Sequence, residues 1–141
     1  MTRVLNVAVI GLGIGKMHIA EGYAKHPDKF RVLSICDLDP KRLSEVGDEF
    51  NVRHRTTSFD EVLAMADVDV VDICTPPGLH VPQTMAAIAA QKHAICEKPL
   101  AGALADVDKL IAVQRKAKHR IMPVFQYRFG NGLQKAKRIV A

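Results

Sequence analysis

Glu97, Lys98 and Pro99 end an apolar run, Ala94-Ile95-Cys96, in a chain of 141 residues. A lysine in that place can donate to an oxygen on which negative charge develops. Pro99 drives the residue before it out of the α region toward an extended conformation, which restricts the direction of Lys98. Glu97 can pair with the lysine or anchor the turn. An isolated E-K-P is only a surface lysine at a strand end, so its weight depends on what lies beside it.

What lies beside it is read from two other stretches. Gly11-Leu12-Gly13-Ile14-Gly15 follows an apolar β-branched run. A glycine turn lets the backbone approach a diphosphate, and the helix start that follows offers free N–H groups and the positive end of its dipole. Asp37 stands 22 residues after Gly15, close to the spacing of a carboxylate that binds a ribose hydroxyl. The third glycine comes one residue earlier than G-x-G-x-x-G requires, where Lys16 stands. That shorter spacing also fits the G-x-G-x-G loop of methyltransferases that use S-adenosylmethionine. A carboxylate at 37 favours NAD over NADP, although Lys41 and Arg42 nearby can accommodate a 2′-phosphate. The third stretch is Thr75-Pro76-Pro77-Gly78-Leu79-His80. Its prolines make a stiff turn, read either as a rigid link with an exposed His80 or as a loop over the nicotinamide half of a cofactor.

The elements that must hold these groups alternate between strand and helix. Strands are expected over 3–10, 31–37, 52–54, 68–75, 93–97 and 120–126, the last at an edge because of Pro123. Helices are expected from about Met17 to Lys25, from Asp39-Pro40 to about Phe50, from Ser58 to about Met65, over 81–91 and over 103–118. Leu104, Val107, Leu110 and Ile111 form the apolar stripe of the last of these. This alternation implies right-handed crossovers and a doubly wound, parallel α/β sheet. Ligands bind such sheets beyond the carboxyl ends of the strands, where the three motifs fall.

Domain 1–123 is expected to hold the dinucleotide, and 124–141 to begin a second, substrate-binding domain. The apolar residues Leu133, Ala136, Ile139 and Val140 recur at helical spacing with no partner element after them, which predicts a truncated second domain. Hydrophobic residues make up 48% and charged residues 25%, the balance of a globular chain and not of a disordered one. A net charge of +5 permits an anionic partner. The basic residues are not interleaved with aromatics and there is no Trp, so no nucleic-acid partner is expected. Cys36, Cys74 and Cys96 have no metal-ligand spacing, so no metal is expected, and they are read as buried thiols in a reducing, cytoplasmic setting. No run is long and apolar enough to span a membrane.

The run VDVVDICTPPGLHVPQTMAAIAAQKHAICEKPLA resembles the glucose–fructose oxidoreductase/inositol dehydrogenase/MocA-like oxidoreductases. The carrying residues are Gly11, Gly13, Gly15 and His18, then Thr75, Pro76 and His80, then Glu97, Lys98 and Pro99. YRFGNGLQKAK resembles the family's passage into its second domain. The resemblance implies a Rossmann cofactor domain followed by an α+β domain, and hydride transfer between NAD(P) and a sugar, inositol or related polyol. It implies Lys98 as the active-site lysine. Gly11, Gly13, Ile14, Gly15, Asp37, Thr75, Pro76, His80, Glu97 and Lys98 are then the expected cofactor contacts. It further implies a homo-oligomer whose catalytic Asp and His lie in the second domain. A dinucleotide-sensing regulator without catalysis would use the same pocket but has no use for a positioned lysine.

Overall fold

The computed structural model describes residues 3–140. Six strands form one sheet: β1 (Leu5–Ile10), β2 (Phe30–Cys36), β3 (His54–Thr56), β4 (Val70–Ile73), β5 (His93–Cys96) and β6 (Ile121–Pro123). Their order is β3-β2-β1-β4-β5-β6 and every pairing is parallel. This is the doubly wound order whose direction reverses between β1 and β4. β6 is an edge strand ending at Pro123, where a missing N–H costs no ladder bond.

Alternation along β1 divides the core in two. Val7 and Val9 pack with Leu12, Ile19, Tyr23, Leu43 and Val46. Ala8 and Ile10 pack with Val62, Val71, Ile73, Ala87 and Ile88 on the other face. The first layer belongs to α1 (Leu12–Met17) and α2 (Pro40–Glu49), the second to α3 (Phe59–Ala64), α4 (His80–Ala89) and α5 (Leu104–Lys116). A last helix, α6, runs Asn131–Val140. Two helix starts, those of α2 and α3, follow side-chain caps. Asp39 accepts from the Lys41 and Arg42 N–H groups ahead of Pro40, and Ser58 accepts from Glu61 N–H.

Four expectations are corrected. The first helix starts at Leu12 and not near Met17, because Gly13 and Gly15, poor helix formers, are needed inside its first turns. After Met17 it widens into a π turn, His18–Gly22, and closes as a 3₁₀ turn, Tyr23–Lys25. The third strand lies two residues later than 52–54, because Val52 closes α2 by donating to Gly47 O. In α5 the stripe is rotated: Leu110 is buried, while Leu104 and Ile111 are exposed, and Val113 and Ala117 complete the contact with the sheet. His80 is not an exposed turn residue; it is buried and opens α4.

Candidate functional site

A crevice of about 780 Å³ lies at the reversal point of the sheet, lined among others by Gly11, Gly13, Asp37, Arg42, Thr75 and Gln83. Its volume is that of a small-molecule site. Gly11 follows β1 with φ +83°, and a Cβ there would lie 2.8 Å from the Cys74 carbonyl oxygen. Only glycine fits. Gly15 answers a different need, since its Cβ would lie 2.7 Å from Val9 Cγ1, so its absence lets the helix close on the sheet. Gly13 is exposed with open space where a Cβ would be, which leaves the backbone accessible to a ligand. Gly15 thus does the helix-packing work of a third fingerprint glycine from one position earlier.

Gly11 N–H donates to Cys36 O, and Leu12 N–H donates to Asp37 Oδ2 at 2.7 Å. Of the four N–H groups a helix start leaves without intrahelical partners, those of Gly13 and Ile14 remain for a ligand. These residues fit a dinucleotide diphosphate: a glycine cradle that a side chain would fill, with N–H donors above it.

The Asp37 carboxylate also accepts from Asp39 N–H at 2.9 Å and from Arg42 Nη1 at 3.2 and 3.3 Å. Burial alone would raise its pKa. The bonds from Leu12 and Asp39 N–H and the Arg42 guanidinium outweigh burial and hold it below the usual carboxylate value. Beside it, Leu38 and Leu79 present exposed apolar side chains to the crevice.

The two strand-end turns lie side by side. His80 spans them, with Nε2 2.7 Å from Thr75 O and Nδ1 2.7 Å from Pro99 O. Thr75 Oγ1 donates to Gln83 Oε1. Glu97 is buried, and its Oε2 accepts from the Lys98 N–H at 2.9 Å. The Lys98–Pro99 peptide is cis. The Lys98 side chain is exposed, and its ammonium has no ion-pair partner among the described residues.

Behind this turn lies a cluster that sequence reasoning did not single out. Asp72 is fully buried in β4. Its Oδ2 accepts from Tyr23 OH at 2.8 Å and meets His18 Nδ1 at 2.9 Å. His18 Nε2 lies 3.1 Å from Glu97 Oε1. Cys74 Sγ lies 3.4 Å from His18 Nδ1 and 3.6 Å from Asp72 Oδ1. The hydrogen bond to Asp72 raises the His18 pKa, burial opposes it, and Glu97 adds to the rise. Burial first, and then Asp72, push the Tyr23 hydroxyl and the Cys74 thiol upward, so both stay neutral. A signal was present in the sequence: an Asp inside the apolar strand run VVDIC must find donors when it is buried.

The crevice therefore gathers Gly11, Gly13, Asp37, Thr75 and Pro76. Gly15 lies beneath it, against Val9. Ile14 is an exposed side chain on α1. His80 and Glu97 are tied into the protein behind the turns, and Lys98 stands at the end of the neighbouring strand. A separate cavity of about 550 Å³ sits at the opposite rim of the sheet, lined by Arg3, Asp69, Lys92 and His93 among others. Lys92 is spent there, donating to Met65 O and Val68 O. Cys36, Cys74 and Cys96 are free and buried, and burial pushes the Cys36 and Cys96 thiols up to about 11.

Residues 5–125 match the family model described as "Oxidoreductase family, NAD-binding Rossmann fold", the Gfo/Idh/MocA oxidoreductases. The chain belongs to that family. The methyltransferase alternative is thereby set aside, and the Rossmann fold and NAD-binding class stand. Over 137 residues the chain is 34% identical to a myo-inositol 2-dehydrogenase of Thermotoga maritima, covering 96% of this chain and 40% of that one. It is 29% identical to an uncharacterized oxidoreductase of Bacillus subtilis, YrbE, over 99% of this chain and 41% of the other. A crystal structure of the WlbA dehydrogenase from Bordetella pertussis, in complex with NADH and UDP-GlcNAcA, matches with a TM-score of 0.89. The two are 29% identical, and the match covers 98% of this chain and 43% of that one. The chain thus spans about two-fifths of the length of the relatives it matches. No helix among the described residues is long and apolar enough to cross a membrane.

Proposed function

We propose that this chain is the cofactor domain of an NAD-dependent dehydrogenase acting on a CH–OH group of a sugar, inositol or related polyol, with Lys98 at the reacting end. One observation carries the reading. Both neighbours of Lys98 are tied into the protein, Glu97 through its carboxylate and Pro99 through its carbonyl, while the lysine itself is exposed. A group held in that way is positioned for a ligand and not for the fold.

In the proposed arrangement the Gly13 and Ile14 N–H groups and the Gly11 turn hold the diphosphate. Asp37 accepts from the adenosine ribose, and Leu38 and Leu79 flank the base. Thr75 and Pro76 line the path toward the nicotinamide. NAD, when bound, supplies the hydride acceptor for alcohol oxidation. Lys98 donates to the substrate oxygen and steadies the charge that builds there as the hydroxyl proton passes to a base that the second domain would supply. The Asp37 carboxylate disfavours a 2′-phosphate, and Arg42, held against Asp37, is the residue that NADP would have to recruit.

We further propose that residues 124–141 begin a second domain that selects the substrate. Leu133, Ile139 and Val140 of α6 are exposed, a face suited to packing against further structure. The full-length protein is proposed to be a homo-oligomer with no nucleic-acid or membrane partner. A cytoplasmic location is supported by three free cysteines.

The test uses the full-length protein. NADH should bind with a change in nicotinamide fluorescence, and a panel of inositols and aldoses should give NAD reduction. Lys98→Ala should lower kcat about 100-fold or more while NADH affinity stays within a few-fold. Binding of NADH with no turnover on any polyol would leave the sensor reading in its place.

A further inference from the structure

The helix after the glycine turn is not regular. Tyr23 N–H bonds to His18 O, the i→i+5 bond of a π turn. In a regular α-helix residues five apart point about 140° away from each other at 3.6 residues per turn. The wide turn brings His18 and Tyr23 to one side, where both reach the same atom, Asp72 Oδ2. π turns of this kind recur at functional sites. The other edge of the His18 ring reaches Glu97 Oε1.

The string Asp72–His18–Glu97 has a proton count. Its two contacts, at 2.9 and 3.1 Å, need two protons between them. Carboxylates only accept, and a neutral imidazole carries one N–H. With the ring neutral, one contact becomes lone pair against lone pair. Each carboxylate has one further donor, Tyr23 OH on Asp72 and the Lys98 N–H on Glu97, but Asp72 is fully buried while Glu97 lies nearer water at 8% exposure. The proton therefore stays on the Asp72 side, and Glu97 is the partner released.

We propose that His18 is a positioning residue for Lys98: by bridging Asp72 and Glu97 it holds the Glu97 carboxylate against the Lys98 N–H and so sets where residue 98 leaves the sheet. The titratable groups facing the ring are Tyr23 from its own helical run, Asp72 from β4, Cys74 just after β4, and Glu97 from the end of β5. Tyr23 and Cys74 stay neutral. Among these the ring is the group whose charge changes near neutrality; the turn's other imidazole, His80, meets Pro99 O and Thr75 O and not this string. Protonated, it locks the E-K-P turn from behind; neutral, it loosens the turn. Lys98 would then be directed best below the His18 inflection, a dependence that belongs to the protein and not to the substrate.

The inference rests on Lys98 as the group that meets the substrate, but its test needs no substrate. The full-length protein, selectively labelled at histidine and lysine, is titrated from about pH 5 upward by NMR. The His18 ring shift reports its protonation, and the Lys98 amide reports the bond to Glu97. The Lys98 amide shift should follow the His18 inflection. Its exchange, corrected for base catalysis, should quicken up to about ten-fold above that inflection, the worth of one hydrogen bond. Tyr23→Phe should keep the two coupled. Glu97→Gln should lower the ring inflection and uncouple the amide. A wild-type Lys98 amide that stays flat while His18 titrates overturns the proposal. Such a result leaves the dehydrogenase reading intact, and a coupled amide in a protein that oxidises no polyol would leave the positioning intact.

Discussion

At the Asp37 end of the crevice, one carboxylate is bonded to two backbone N–H groups and an arginine half open to solvent. At the Lys98 end, Asp72, His18, Glu97, Tyr23 and His80 bond to one another or to backbone behind the turns, and the lysine projects from this base. The first end is a surface that a ligand can complete. The second is finished by the protein, with polar groups satisfied inside it. Recognition of a flexible cofactor tolerates an adaptable contact. Aiming a reacting group does not, because about 1 Å of misplacement can cost on the order of 100-fold in rate.

The comparison can be broken most severely at Asp72. Asp72→Ala removes the common partner of His18 and Tyr23 from a fully buried position, with an expected loss of about 3–5 kcal/mol in urea unfolding. The sign of the pH dependence follows from His18. Its folded pKa is raised above 6.5, so its stabilisation is complete below that value and is lost as pH rises through the folded pKa. Asp72→Ala should flatten that limb. A loss under about 1 kcal/mol would mean that the Lys98 end is no better built than the other.

Gly11 serves both ends, since it turns the chain above β1 and touches the Cys74 carbonyl before the T-P-P turn. Gly11→Ala should cost about 1–3 kcal/mol from the left-handed φ, with a further loss of NADH affinity by titration because the added methyl meets backbone. Unchanged stability would show that the turn relaxes freely.

The smallest effect on folding is expected at the open end. Asp37→Asn should change stability near neutral pH by less than about 1 kcal/mol yet weaken NADH about ten-fold and narrow the preference over NADPH. Because the Asp37 pKa is lowered, its contribution is present above the unfolded value and lost as pH falls through the folded one. The variant should lack that acid limb. A large loss of stability near neutrality would make the two ends alike.

The sheet was legible because strands buried on both faces read as apolar runs and the caps Asp39 and Ser58 mark helix starts. The Asp37 end was legible for a related reason: its glycines and carboxylate follow one another at fixed offsets along one crossover. The Lys98 end was only half legible. Lys98 and Pro99 announce themselves, but the residues behind them come from three distant parts of the chain and meet only in space. His18 showed only through the family resemblance, and Asp72 and Tyr23 were passed over as parts of a strand and a helix. The helix start near Leu12 was hidden because glycine's low propensity yields to the close approach at Val9.

The wide turn from His18 to Gly22 makes chain length, as well as residue type, a constraint on this segment. Removing one residue there would restore a regular helix with His18 and Tyr23 four positions apart, about 40° round the axis and still on one side. Relatives that wind this stretch without the extra residue would present the same pair of side chains to the buried carboxylate from positions four apart, so an alignment drawn through this helix should place its gap here and not in the loops on either side.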